Sequence, residues 1–253
     1  MTETVKLAGE KPELKIAYID SGGAAPVLLC LHGIQGSKES FNALLSSKLA
    51  KAFRVVTPDL PGFGASSKPP AGTADLGAQA RRVLSFMDAL GIKTAHVFGH
   101  SLGGMLGILL LKLAAERVGR FVSLEGNLRL ADCGETRRVV AMSLEEFRSS
   151  RFPELRAALD PARRAALAQV EAEWFYETSE SVVEWAKSER LFKILTRAKR
   201  PVLSIRGTGG SFSTEPKSRH IQNLLVAGVD HFSLRSSPAV FEAVEEFLLE
   251  REG

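Results

Sequence analysis

The stretch AHVFGHSLGGMLGILLLKL, residues 95–113, decides how the rest of this chain is read. Ala95–Phe98 reads as a buried strand, and Leu102, Met105, Leu106, Leu109, Leu110 and Leu113 recur at helical spacing. Between them lies Gly99-His100-Ser101-Leu102-Gly103, a G-x-S-x-G on a strand-to-helix turn. A turn that sharp strains its central residue and lifts the serine hydroxyl above the sheet, while small residues two places away let strand and helix approach. Gly103, Gly104 and Gly107 weaken the helix they open, which implies that something comes close to its backbone.

Working outward, apolar runs alternate with helical patterns. The strand candidates are Leu14–Ile19, Val27–Leu31, Arg54–Thr57, Ala95–Phe98, Phe121–Leu124, Val202–Ile205 and Ile221–Val226. Runs such as VLLCL and VLSI are apolar throughout, as strands buried on both faces of a parallel sheet are. Leu76, Ala80, Val83, Leu84, Met87 and Leu90 form another helical stripe, with Gly91 as its C-terminal cap. The last helix starts at Ser237-Pro238.

Residues 127–198 break the rhythm. No strand candidate occurs there, and helix starts recur instead. Ser143 with Glu146 and Ser181 with Glu184 have capping-box spacing, and Asp160-Pro161 reads as a cap followed by a first-turn proline. The expectation is an α/β core, residues 1–126 and 199–253, carrying a helical insertion over 127–198.

A serine hydroxyl needs a base to take its proton. The chain has His32, His96, His100, His220 and His231. His231 follows the last strand, on a loop that can hang over the carboxyl edge of the sheet, where ligands bind in open α/β folds. His96 sits within a strand, His220 at a strand entrance, and His100 beside the serine faces elsewhere.

Four segments together resemble the α/β-hydrolase family: LLCLHGIQGS, Asp59-Leu60-Pro61-Gly62-Phe63-Gly64-Ala65-Ser66, GHSLGG, and VDHFSLRSSPAVFEAVEEFL. They occur in family order and span residues 14 to 250 or so. The resemblance implies an α/β-hydrolase fold, a mostly parallel sheet flanked by helices, with a helical cap inserted after strand 6. It implies Ser101 as nucleophile, His231 as base, and the backbone N–H groups of Ile34 and Leu102 as oxyanion hole. By the same likeness His32 and Asp59 order loops rather than react.

In one place the chain departs from the family. Many relatives keep the triad acid in a G-x-x-D turn after the strand equivalent to VLSI; here that turn is Gly207-Thr208-Gly209-Gly210. Glu125, at the end of FVSLEGN, stands where a branch resembling haloalkane dehalogenases keeps its acid, and is the substitute expected to pair with His231. The alternative is that Glu125 only begins the insertion or caps a loop. Asp230, adjacent to His231, is poorly placed to reach its far nitrogen. Serine rather than aspartate at the elbow favours acyl transfer over dehalogenation or epoxide opening.

The expected activity is therefore that of a serine carboxylesterase on small or medium esters, passing through an acyl-enzyme. Carbon–carbon or thioester cleavage and perhydrolysis are variants of the same apparatus. A ligand-binding protein on a hydrolase scaffold is the reading from another class, motivated by the missing acid at Gly210. Among Trp174, Phe175, Tyr176, Trp185, Phe147, Phe152 and Phe192 of the insertion, most are expected in packing and one or two in an apolar pocket.

Composition excludes other classes. The net charge of +4 is mild and the arginine pairs are interspersed with acids, unlike a nucleic-acid binder. The longest apolar run, Leu102–Leu111, is short of a membrane span. MTETVKLAGEKPELK carries no apolar leader segment, and Cys30 and Cys133 do not form a disulfide framework, so a cytoplasmic location is expected. No phosphate-cradling or zinc-spaced motif occurs, so no cofactor or metal is expected, and a small-molecule ester is the expected partner. Nothing in the pattern specifies an oligomeric state.

Overall fold

The apolar runs become strands of one sheet in the computed structural model, which describes residues 1–210, 212 and 215–250. They are β1 (Thr2–Lys6), β2 (Lys15–Asp20), β3 (Val27–Leu31), β4 (Arg54–Pro58), β5 (Ala95–His100), β6 (Val118–Leu124), β7 (Val202–Gly207) and β8 (Ile221–Val226). Their order across the sheet is β1-β2-β4-β3-β5-β6-β7-β8. β1 and β2, and β2 and β4, pair antiparallel; every later pair is parallel. This is the mostly parallel, helix-flanked sheet that the sequence implies.

The interior strands are apolar on both faces because each face has its own core. In β3, Leu29 and Leu31 join Val97 and Phe121 under the helices Leu76–Ala89 and Leu102–Leu113. Leu28 and Cys30 point the other way, with Phe98, Val122 and Ile205, against the last helix, Pro238–Leu249. A period-2 side-chain alternation thus feeds two layers from one continuous apolar run.

β1 was not among the expected strands. Its residues TETVK are almost all exposed and offer no apolar run. Pairing with β2 makes it a strand, aided by the Tyr18 hydroxyl, which donates to Glu3 Oε2 at 2.9 Å.

Between β6 and β7 the chain forms only helices among the described residues, the longest being Ala172–Lys187. Ser143 accepts from the Glu146 N–H at 3.2 Å and Asp160 from the Arg163 N–H at 2.9 Å, as their spacing suggests. Ser181 does not start a helix. It lies inside Ala172–Lys187, and its hydroxyl accepts from the Leu76 N–H at 3.0 Å, an orphan donor at the start of another helix. Asp75 caps that same start through the Gly77 N–H at 2.8 Å and also accepts from Trp185 Nε1 at 3.0 Å. Capping chemistry from two segments therefore docks the helical stretch onto the sheet layer.

The aromatics hold this stretch together and, at Trp174 and Trp185, add to its docking. Phe147, Phe152 and Phe175 form a cluster with ring centroids 5.4 to 5.7 Å apart. Trp174 is buried against the backbone at Gly62, where a Cβ would lie 2.1 Å from Trp174 Nε1. No aromatic of residues 127–198 lines the main cavity, so the expectation of one or two there is corrected. Its aromatic walls are Phe212 and Phe232, on loops that follow β7 and β8.

Candidate active site

β3, β5, β6, β7 and β8 run parallel, so their carboxyl ends open onto one edge, and each contributes a loop there. Ser101 stands between β5 and the helix Leu102–Leu113 at φ 54° and ψ −115°, and is the N-cap of that helix. The strain is made possible by its neighbours. A Cβ at Gly99 would meet the Gly103 carbonyl oxygen at 2.4 Å, and one at Gly103 would meet the Leu31 carbonyl oxygen at 1.9 Å. Backbone packs directly on backbone here, which accounts for glycines in a helix that they weaken.

Glu125 follows β6 and is also at positive φ, 44°. Two non-glycine residues held in a sparsely populated region at one sheet edge are the pattern found where geometry serves function. The Glu125 carboxylate is fully buried. Its Oε1 accepts from the Gly207 N–H at 2.8 Å, and its Oε2 accepts from His231 Nδ1 at 2.7 Å. With the Nδ1 proton committed, Nε2 of His231 carries the free lone pair, the tautomer a general base requires.

Gly210, the position left without an acid, faces the same place. A Cβ there would lie 3.3 and 3.5 Å from the two Glu125 carboxylate oxygens. The ends of β6 and β7 thus address one spot, which the Glu125 carboxylate fills. A full side chain at 210 would crowd it.

The His231 ring is clamped. Phe212 stacks on it with centroids 4.7 Å apart and planes 9° apart, and His100 lies 4.5 Å away. His100, buried, donates from Nε2 to the His231 backbone carbonyl at 2.7 Å. Burial, with the nearby His231 and Arg235, holds the His100 pKa well below the ordinary histidine value, so it stays neutral. The expectation that His100 faces away from the site is corrected: its ring packs on His231 and borders the same cavity as Ser101.

Ser101 Oγ donates to Asn127 Oδ1 over a long 3.5 Å. The Asn127 amide is turned that way because its Nδ2 donates to the Asp132 carbonyl at 2.7 Å. Sequence reasoning missed Asn127, although its place two residues beyond Glu125 on the same strand exit puts it at the same edge. Ile34 and Leu102 also border the cavity, and among the described residues neither backbone N–H donates to another protein atom. An unpaired N–H at the first position of a helix is the normal state of such a terminus.

The remaining candidates are tied down elsewhere. His32 is buried, donates from Nδ1 to the Gly33 carbonyl at 2.8 Å, and accepts from the Leu60 N–H at 2.9 Å. Asp59 pairs with Lys38 at 2.9 Å and accepts from the Ala65 N–H at 2.9 Å. His96 accepts from the Arg120 N–H at 3.1 Å, and Asp230 caps its own loop through the Phe232 and Ser233 N–H groups. His220 contacts Arg219 at the start of β8. Among the described residues no group of three or more His, Cys, Asp and Glu is arranged to hold a metal ion.

The cavity in front of Ser101 and His231 measures about 480 Å³. Residues 26–230 match the family model described as alpha/beta hydrolase fold. The chain belongs to the α/β-hydrolase family. It is 42% identical over 105 residues to the dihydrolipoyllysine-residue acetyltransferase component of the acetoin cleaving system of Cupriavidus necator, covering 42% of this chain and 28% of that protein. It is 34% identical over 130 residues to a haloalkane dehalogenase of Psychrobacter cryohalolentis, covering 50% of this chain and 41% of that one. The chain thus spans less than half the length of these curated relatives. A solved structure of a hydrolase from Pseudomonas aeruginosa PA01 matches along 98% of this chain and 99% of its own, with 27% identity and TM-score 0.75. Among the described residues no helix is long and apolar enough to cross a membrane.

Proposed function

We propose that this α/β-hydrolase family member is a serine hydrolase that cleaves small carboxylic esters through a Ser101–His231–Glu125 triad. The observation that carries the reading is the 2.7 Å contact between His231 Nδ1 and a fully buried Glu125 carboxylate, beside a strained, cavity-facing Ser101.

Ser101 Oγ attacks the ester carbonyl as its proton passes to His231 Nε2. For this the hydroxyl leaves its long contact with Asn127 and turns to His231; hydrogen bonds between nucleophile and base commonly tighten only when substrate is bound. Negative charge develops on the carbonyl oxygen, where the N–H groups of Ile34 and Leu102 receive it. Glu125 holds the imidazole in its tautomer and stabilises the imidazolium. His231 then protonates the departing alcohol. Water, deprotonated by the same nitrogen, releases the acid from the acyl-serine.

Residues 127–198 serve as a cap over a core of residues 1–126 and 199–253. Val182, Glu135, Thr136 and Arg138 reach the cavity from it, while its aromatics fasten it down. Against the reading as a binding protein stands the Glu125 carboxylate, which lies beside the empty position at Gly210 and accepts from His231.

The test is intact mass after exposure to a fluorophosphonate probe, with Ser101→Ala alongside. Stoichiometric labelling of the unaltered protein alone is expected, together with p-nitrophenyl butyrate turnover that Ser101→Ala abolishes. Comparable turnover by the folded Ser101→Ala variant would sink the assignment.

A further inference from the structure

Among the described residues, acidic and basic side chains around the cavity are matched to partners, with one exception. Glu135 pairs with Arg138 at 3.3 Å and Arg151 at 3.1 Å, and Arg151 also approaches Glu154. Asp132 accepts from the Leu128 and Arg129 N–H groups, and Asp230 from Phe232 and Ser233. Arg163, stacked 3.9 Å over the Phe232 ring, is paired with Asp160 at 2.5 Å and donates to Gln35 Oε1 at 3.3 Å.

Arg235 is the exception. It sits on the turn Ser233–Ser236, directly after the His231 loop, and lines the same cavity as Ser101 and His231. Among the described residues no carboxylate reaches it. Its one hydrogen bond is a long 3.4 Å contact to Ser40 Oγ, and the Phe232 ring lies 5.9 Å away. Its surroundings resist its charge: burial, then the neighbouring Arg163 cation, lower its pKa, and Asp160 offsets them only in part. A half-buried guanidinium without a counter-ion is costly, and a planar carboxylate is the group that its fork of N–H donors fits.

We propose that Arg235 receives a carboxylate carried by the substrate, so that the preferred esters are those bearing a free acid on the part that occupies this cavity. One unpaired cation matches one negative charge. Because Arg235 follows four residues after His231, a bound carboxylate and the scissile carbonyl share one short wall of the cavity, which suits a compact acyl chain. The choice of substrate rests on the hydrolase reading; the anion site itself does not.

The experiment compares mono-p-nitrophenyl glutarate with p-nitrophenyl valerate, a pair of nearly equal length that differ by the terminal carboxylate. The unaltered protein is expected to favour the glutarate ester in kcat/KM by about tenfold or more, as a charge-assisted hydrogen bond allows. Arg235→Gln should lower that ratio by about 10- to 100-fold, chiefly through KM, and Arg235→Lys should keep part of it. No preference in the unaltered protein, or a preference that survives Arg235→Gln, overturns the proposal. Calorimetric binding of free glutarate to Ser101→Ala, with and without Arg235→Gln, separates the two readings. Arg235-dependent binding without turnover of either ester would retain the anion site and remove the hydrolase reading. Valerate turnover without Arg235-dependent glutarate binding would do the reverse.

Discussion

Replacing Glu125 by Gln keeps the shape of the side chain and removes one acceptor, and the structure says where that loss falls. Two donors converge on the carboxylate, the Gly207 N–H at 2.8 Å and His231 Nδ1–H at 2.7 Å. An amide has one oxygen to offer them. If it stays on Gly207, the amide NH2 faces His231 Nδ1, drives the proton to Nε2 and removes the base. If it turns to His231, the NH2 meets the Gly207 N–H and leaves a buried donor unpaired, at about 1–3 kcal/mol. The first arrangement avoids that penalty, so the imidazole is expected to hold the wrong tautomer. Loss of the orienting acid in such a triad costs about 10⁴ in kcat, which is about 5.5 kcal/mol of barrier. The assay is steady-state hydrolysis of p-nitrophenyl butyrate, with circular dichroism to establish that the variant is folded. A kcat within about threefold of the unaltered protein would refute the role given to Glu125.

The same geometry predicts a transplant: Glu125→Gly should be inactive on p-nitrophenyl butyrate, and adding Gly210→Asp should restore measurable turnover, since both positions address one spot. A double variant as inactive as the single one would count against equivalence of the two sites. Cys133 borders the cavity, yet burial pushes its thiol pKa up to about 11, and burial raises that of Cys30 further still. Iodoacetamide at neutral pH is therefore expected to leave native mass, and any turnover of p-nitrophenyl butyrate, unchanged, and to label both cysteines only after denaturation; labelling of the folded protein would contradict this. At the β2–β4 seam, burial pushes the Asp20 carboxyl up, but hydrogen bonds from Arg54 and the Gly22 N–H outweigh it and the net shift is downward. A depressed carboxyl stabilises the fold above its ordinary pKa and loses that contribution as pH falls through the folded value. The gap in Tm between the unaltered protein and Asp20→Asn should be wide near pH 6 and shrink below about pH 4; a gap independent of pH would exclude the linkage.

What the sequence determined by itself was the part written in local pattern. Apolar residues marked seven of the strands to within a few residues: interior strands such as β3 are buried on both faces and apolar throughout, while the edge strand β8 carries Gln222 and Asn223 and is apolar only in part. The elbow was legible for a related reason: only glycine tolerates carbonyl oxygens at the distances found around Gly99 and Gly103. Ser101, His231 and Glu125 could be nominated, since each ends a readable strand or begins the loop after one.

Tertiary structure decided what depends on neighbours distant in the chain. β1 exists because β2 offers it an edge, and its own residues carry no apolar signal. Ser181 matched a capping box, but its hydroxyl serves the start of a different helix 105 residues away. The aromatics of residues 127–198 went to packing, and the cavity took Phe212 and Phe232 instead, because rings on loops at the carboxyl edge reach it while those in the helical stretch pack on one another or, at Trp174 and Trp185, on the sheet layer. Asn127, His100 and Arg235 have no motif to announce them. Their significance lies in which donor meets which acceptor across the fold, and, for Arg235, in the absence of any carboxylate partner among the described residues, a property that only assembled geometry can create.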